Sequence, residues 1–204
     1  MIQSRREFLK NAGKVAVAAS VAASLPLSAT AEPAEHPFTW HHLDPDAAAD
    51  RAYASFTKLG GCCVSVADAI IGQLAATVGA PLDGLPVKMF THGGAGYGQS
   101  SLCGCIGGAA ACIGLVCTPS DSSAILKELC AWYKETNLPI YDKQEKALAQ
   151  VVPGSVNCAD SLGKFFAATG ITTLSDPGRI TRCSCLAADV AKKTVELLNA
   201  HYGV

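Results

Sequence analysis

The sequence contains no Cys-x-x-Cys pair, although ten of its 204 residues are cysteines. Because Cys-x-x-Cys-His is absent, the chain has no attachment motif for a covalently bound c-type haem. The lack of Cys-x-x-Cys also argues against a zinc ribbon and against a thioredoxin-type dithiol. Repeated Cys-x-x-x-Cys spacing, which is typical of helical copper-storage bundles, is missing as well. The cysteines can therefore form one site only if separated parts of the chain fold together.

Charged residues are scarce, at 16% of the sequence, and the formal net charge is −1. Residues 1–31 hold four Lys or Arg and one Glu, so the rest of the chain has a charge of about −4. We therefore expect neither nucleic acid nor an anionic membrane as a partner. No apolar run after residue 31 reaches the length of a transmembrane helix. A Ser-His-Asp order, a paired-carboxylate pocket and a phosphate-binding P-loop are also missing, so no such motif indicates an enzyme.

The N-terminal segment has the three parts of a twin-arginine export signal. Residues 4–10 read SRREFLK, residues 12–27 are mildly apolar, and Ala29-Thr30-Ala31 is a small-x-small cleavage site. We expect cleavage before Glu32, which leaves residues 32–204 as a single domain. This pathway exports folded proteins, often with a cofactor already inserted. The sequence thus predicts a periplasmic protein that is not attached to the membrane after cleavage.

Cysteine chemistry depends on this location, because bare thiols outside the cytoplasm tend to oxidise. The ten thiols must either pair as disulfides or be occupied by a metal centre before export. A protein that needs only disulfides can use the ordinary route for unfolded chains. The export signal therefore favours a metal centre.

Hydrophobic periodicity predicts an all-α fold, a single-domain bundle of about five or six helices with a glycine-rich loop. Strand signals are weak throughout. The last helix is expected to be the longest exposed amphipathic helix, with its lysines outward. The predicted helices cover 45–59, 62–78, 102–116 (capped by Ser100-Ser101), 120–137 and 183–202. A further helix is expected to start at a cap formed by Asn157 or Ser155 and to run to Gly170, with a short charged helix over 142–151 and the glycine-rich loop over 93–98.

Several cysteines lie at or near the predicted starts of these helices. A helix N-terminus offers unpaired N–H groups and a positive dipole end, which stabilise a thiolate and lower the pKa of a cysteine. Cys103 and Cys105 are two residues apart and can reach one site only if the turn around Gly104 is not helical. The cysteines at or near predicted helix starts are Cys62, Cys63, Cys103, Cys158, Cys183 and Cys185.

The order of these cysteines resembles the redox-active C-GCAxxG-C-C family. A cysteine opens a helix ending in IIGQL, CGCIGGA follows at 103–109, and Asn157-Cys158 and Cys183 come later. The sequence is still more similar to the split-Soret cytochrome c proteins of sulfate-reducing bacteria, in the glycine-rich loop and in a DVAxKxVELLN-type ending. This similarity covers roughly residues 38 to 202. Without attachment motifs, the haem part of the resemblance is not expected to apply.

The resemblance implies that four cysteines hold an iron–sulfur cluster, [2Fe–2S] or [4Fe–4S], or act as redox thiols. It also implies a homodimer. Neighbouring cysteines are additional candidates for metal ligation. The four family positions are Cys62 (or its neighbour), Cys103, Cys158 and Cys183, and the additional candidates are Cys63, Cys105 and Cys185.

Three functions remain open at this stage. The first is an exported electron-transfer protein, rather than an enzyme, that serves an unidentified periplasmic redox partner. Here the loop at 93–98 would donate backbone N–H groups to the sulfur atoms. The second is a thiolate protein that stores Cu(I) or Zn(II). The third is a disulfide-stabilised periplasmic protein, whose connectivity cannot be read from spacing.

Overall fold

The computed structural model describes residues 35–79, 81–143 and 147–204. The predicted export signal at residues 1–31 lies outside them. Within the described residues the regular structure is helical, with two isolated β-bridges and no strand, so the prediction of an all-α fold is confirmed. None of these helices is both long and apolar enough to cross a membrane. The α-helices are α1 (Pro45–Leu59), α2 (Cys62–Val78), α3 (Gly104–Val116), α4 (Pro119–Glu135), α5 (Cys158–Thr169) and α6 (Pro177–Tyr202).

Helix α1 begins and ends, and helix α2 begins, where the local sequence predicts. The Asp44 carboxylate accepts hydrogen bonds from the N–H groups of Asp46 and Ala47, and Pro45 takes the first helical position. Gly60 ends α1 in the left-handed conformation, with φ 99°. Gly61, with φ 126°, then redirects the chain so that α2 starts at Cys62.

Helix α6 lies at the centre of the bundle, where it contacts α1, α2, α3 and α4. The prediction of an exposed terminal helix is therefore wrong, because small side chains such as Ala187 and Ala191 let the neighbouring helices approach closely. The inward face is as predicted, with Leu186 and Val190 buried. The lysines lie on a narrow outer face, where Lys192 pairs with Asp46.

The start of α6 also differs from the prediction. The helix begins at Pro177, because the Asp176 carboxylate accepts a 2.7 Å hydrogen bond from the Gly178 N–H. Cys183 therefore lies inside the helix and not at its N-terminus. The helix dipole cannot act on Cys183 as the sequence suggested.

Helix α3 begins two residues later than predicted, and Ser100 and Ser101 do not cap it. The backbone before Gly104 is extended instead, since Leu102 forms a bridge with Asn157 and the Cys103 N–H donates a 2.8 Å hydrogen bond to Val156. This bridge joins the starts of α3 and α5. It thereby brings two of the predicted site cysteines together.

The short charged helix predicted over 142–151 is absent from its described residues, 142–143 and 147–151. Val151 pairs with Leu138 instead, and the Asp142 carboxylate accepts a hydrogen bond from the Ala147 N–H. Lys143, one of the charged residues that suggested a helix, forms a tertiary contact instead and pairs with Asp50 of α1.

The segment before α1 is fastened to later parts of the chain. The Phe38 N–H donates a 3.0 Å hydrogen bond to the Leu115 carbonyl. The Trp40 indole donates to the Asn199 side-chain oxygen at 3.0 Å, and the Asn199 amide donates to the Leu43 carbonyl at 2.8 Å. The first described residues are thus bound to the last helix.

Candidate metal centre

Four separate elements bring cysteines to one buried region. Cys62 opens α2, Cys103 precedes α3, Cys158 opens α5, and Cys183 lies in α6. Each of the four is at most 9% exposed, and all ten cysteines of the chain are free thiols. Burial, together with the charges of Cys103, Cys183 and Cys62, raises the pKa of Cys158 to about 12, so these thiols interact electrostatically. Together with Cys105 they are called the thiol cluster below.

Cys105 connects two members of the thiol cluster. Its thiol, which has a single proton, is within hydrogen-bonding reach of both Cys103 and Cys62, and these interactions raise its own pKa well above the ordinary value. Those hydrogen bonds lower the pKa of Cys62, and they are the main cause that lowers the pKa of Cys103 to about 6. Both residues reach the same site because the backbone at Cys103 is not helical, with φ −53° and ψ 126°.

The glycine-rich loop covers this site with an unusual backbone. Its residues 95–98 and 100 all have positive φ, from 50° to 67°, including the non-glycine residue Tyr97 at 60°. Gly96 is required there, because a Cβ would lie 2.9 Å from the Cβ of Cys158 and 2.7 Å from the backbone nitrogen of Ser101. The Ala95 N–H donates a hydrogen bond to Cys62, as the sequence prediction for this loop required.

The other two additional candidate cysteines lie outside the thiol cluster. Cys63 hydrogen-bonds the hydroxyl of Tyr97 on the loop, and burial raises its pKa to about 11. Cys185 follows Cys183 by two residues on α6 and so points to a different side of that helix. There it interacts electrostatically with Tyr141. Of the three additional candidates, Cys105 therefore lies within the group, Cys63 borders it and Cys185 faces away.

The chemistry of the donor atoms fits a thiolate-bound metal centre, since buried thiols from four elements suit iron–sulfur clusters or soft metal ions. Among the described residues, however, no three His, Cys, Asp or Glu side chains are arranged as a ligand set for a metal ion. The ligand roles of the named cysteines thus remain a prediction. The side chain of His92, the histidine beside the glycine-rich loop, contacts the backbone. Its ring nitrogen Nδ1 lies 2.6 Å from the Met89 carbonyl oxygen.

A buried polar network, which the sequence patterns did not predict, lies beside the thiols. Arg182 is 1% exposed, and its guanidinium lies 3.9 Å from the sulfur of Cys183 and 2.7 Å from the Ser161 hydroxyl. Ser161 in turn lies 3.2 Å from the hydroxyl of Tyr133, which hydrogen-bonds Cys103. The only sequence signal was the run RITRC, which places two arginines within a turn of Cys183.

Comparison with known proteins identifies the family. A family model described as "Putative redox-active protein (C_GCAxxG_C_C)" matches residues 62–197, two thirds of the chain. This chain belongs to the C_GCAxxG_C_C family. The resemblance predicted from the cysteine order is thereby confirmed, and the matched region contains every member of the thiol cluster.

One relative of this family member is split-Soret cytochrome c from Desulfovibrio desulfuricans (strain ATCC 27774). It is 31% identical over an alignment of 172 residues, and the match covers 79% of this chain and 61% of the relative. The chain thus spans about three fifths of that relative's length. A solved structure, described as "A novel iron centre in the split-Soret cytochrome c from Desulfovibrio desulfuricans ATCC 27774", matches with a TM-score of 0.77 at 29% identity. The match covers 81% of this chain and 72% of that one.

Proposed function

We propose that this chain is an exported electron-transfer protein that holds an iron–sulfur cluster on Cys62, Cys103, Cys158 and Cys183. The observation that carries the proposal is the convergence of these buried thiols, from four elements, in a protein of a redox-active family. The iron centre of the related split-Soret cytochrome c supports iron over other metals. A bound iron–sulfur cluster would accept and release single electrons.

The remaining groups of the site fit the task of tuning such a cluster. The Ala95 N–H and the Cys105 thiol donate hydrogen bonds to sulfur, which favours the anionic thiolates that ligate iron. The glycine-rich loop and the helix starts keep the sulfurs out of water. No covalent haem is proposed, because the chain lacks an attachment motif.

Location and partners follow from the sequence. The twin-arginine pattern at residues 4–10 supports export to the periplasm with the cofactor already bound. We expect a soluble redox partner there, and the resemblance to split-Soret cytochromes supports a homodimer. The absence of hydrolytic and nucleotide-binding motifs favours an electron carrier over an enzyme.

The test is anaerobic purification followed by iron and acid-labile sulfide determination, with EPR of the dithionite-reduced protein. We expect both elements, visible absorption that bleaches on reduction, and an EPR signal. Cys103→Ser should lose most of the iron. Cys130→Ser is the matched control and should retain it, because Cys130 is a half-buried residue of α4 outside the thiol cluster.

A folded, colourless protein without iron would contradict the proposal. Copper or zinc bound in its place would favour the thiolate storage function. Loss of free thiols under denaturing conditions without reductant would favour structural disulfides, although all ten cysteines are free in this structure.

A further inference from the structure

Arg182 is a buried cation that forms no salt bridge with a carboxylate, although Asp189 on the same helix interacts with it electrostatically. Arg182 is 1% exposed, and none of the ion pairs among the described residues includes it. A guanidinium that leaves water loses its hydration, which is unfavourable unless charges or hydrogen bonds in the protein replace it. The position of Arg182 therefore requires an anion close by.

The hydrogen bonds of Arg182 do not meet this requirement. One terminal nitrogen donates to Ser161 at 2.7 Å, and the other lies 3.9 Å from the sulfur of Cys183. The guanidinium carbon lies 5.4 Å from the ring centre of Phe165. The Nε atom is buried and has no hydrogen-bond partner. A buried donor of this kind is normally paired, so the guanidinium has unused capacity to stabilise negative charge.

The thiol cluster is where that negative charge would arise. The groups whose negative charge acts most strongly on Arg182 are Cys183, Tyr133 and Cys103. The half-buried Arg179, one turn earlier on α6, interacts with Cys158 and Cys183. Its Nε is likewise buried without a partner. Two cations on one face of α6 thus border a group of sulfur atoms.

We propose that Arg182 is the counter-cation of the metal centre, where it offsets the negative charge of the thiolate-bound group and raises its reduction potential, with a smaller contribution from Arg179. This inference rests on the proposed function. Reduction transfers one electron from a donor, such as dithionite, to the bound group and so adds one negative charge to it. A buried cation stabilises the reduced state more than the oxidised state. Arg182 is therefore a tuning residue and not a ligand.

The test is an anaerobic redox titration, followed by EPR, of the iron-loaded wild type and three variants. At the midpoint potential of the wild type, Arg182→Gln should lower the ratio of reduced to oxidised protein at least about tenfold, a shift of about 59 mV for a one-electron couple. Arg182→Lys keeps the charge and should stay within about threefold of the wild type. Arg51→Gln is the matched control, because Arg51 pairs with Asp68 between α1 and α2, and its midpoint should not change.

Arg179→Gln gives a second test if Arg182→Gln does not fold, and it should shift the midpoint in the same direction by a smaller amount. Full iron content with an unchanged or higher midpoint in these variants would overturn the role of Arg182 and leave the proposed function intact. A wild-type protein without iron would overturn both. The two failures are therefore distinguishable.

Discussion

The carboxylate of Asp189 shows how burial in this bundle disfavours a negative charge. Asp189 on α6 accepts hydrogen bonds from the backbone N–H groups of Ile140 and Tyr141, both at 2.8 Å. Burial nevertheless raises the pKa of Asp189 to about 6, from 3.8. The residue anchors the segment between α4 and α5, and burial outweighs these hydrogen bonds, so protonation is favoured more in the folded state than in the unfolded chain.

This shift predicts a pH-dependent stability. Because the folded-state pKa is raised, the stabilisation by Asp189 is complete below about pH 4 and is lost as pH rises through about 6. Its contribution should fall by up to about 3 kcal/mol across this range. Urea unfolding of the wild type and Asp189→Asn at pH 4.5 and 7.5 measures the difference.

The Asn variant should show a flatter dependence of unfolding free energy on pH than the wild type. Asp83→Asn, on an exposed turn between α2 and the glycine-rich loop, is the control and should keep the wild-type slope. Parallel curves for the wild type and Asp189→Asn would contradict the assignment.

At the scale of elements, glycine sets the distance between α2 and α3. A Cβ on Gly108 would lie 2.4 Å from the Cys63 carbonyl oxygen of α2, and one on Gly104 would lie 2.5 Å from the sulfur of Cys62. Gly114 is on the same helix but has no neighbouring atom within 4 Å of that position. The two helices can therefore approach only along the glycine face that also borders the thiols.

This contrast gives a matched pair of variants. Gly108→Ala should lower the free energy of unfolding by about 1–3 kcal/mol through overpacking. Gly114→Ala should raise it by about 0.5–1 kcal/mol, because alanine reduces the conformational freedom of the unfolded chain. Denaturant unfolding of both variants under one condition measures these effects. Equal effects of the two substitutions would show that the close approach does not limit the packing.

Helices α1 and α6 show which properties of an element can be predicted from the sequence and which cannot. The bounds of α1 are local, since Asp44 and Gly60 provide the signals, and they are predicted correctly. The burial of α6 depends on which helices surround it, so amphipathic spacing alone gives the wrong exposure. Asp176, rather than Cys183, marks the start of α6.

The thiol cluster likewise combines features that the local sequence determines with features that depend on tertiary packing. The order of cysteines indicates the family and the candidate ligands, because it is a property of the chain itself. The buried position of Arg182 arises only from the packing of α5 against α6, so no spacing rule reveals it. The hydrogen bonds of Cys105 to two other thiols depend likewise on the bridge between Leu102 and Asn157.

At the scale of the whole molecule, a metal held by four elements would couple their stabilities. A ligand that binds only the folded state stabilises it, and the unfolded chain cannot assemble this site. Removal of iron should therefore lower the free energy of unfolding by at least about 3 kcal/mol. Thermal unfolding of the loaded and iron-free protein, both under reducing conditions, measures the change.

Two cysteine variants test whether the thiol cluster causes this stabilisation by iron. Cys183→Ser should abolish the difference between iron-loaded and iron-free protein, because it removes the thiol of α6 from the cluster. Cys130→Ser should preserve the difference. Identical unfolding of loaded and iron-free wild-type protein would argue against a site that joins these helices.

The attachment of the first described residues to α6 also fixes an order of assembly during biosynthesis. Trp40 and Leu43 find their partner in Asn199, close to the end of the chain, and the sulfur of Cys183 lies on the same helix. Until α6 has left the ribosome, neither the segment around Trp40 nor the thiol cluster can be completed. Whatever group the thiols bind, its enclosure must wait for α6.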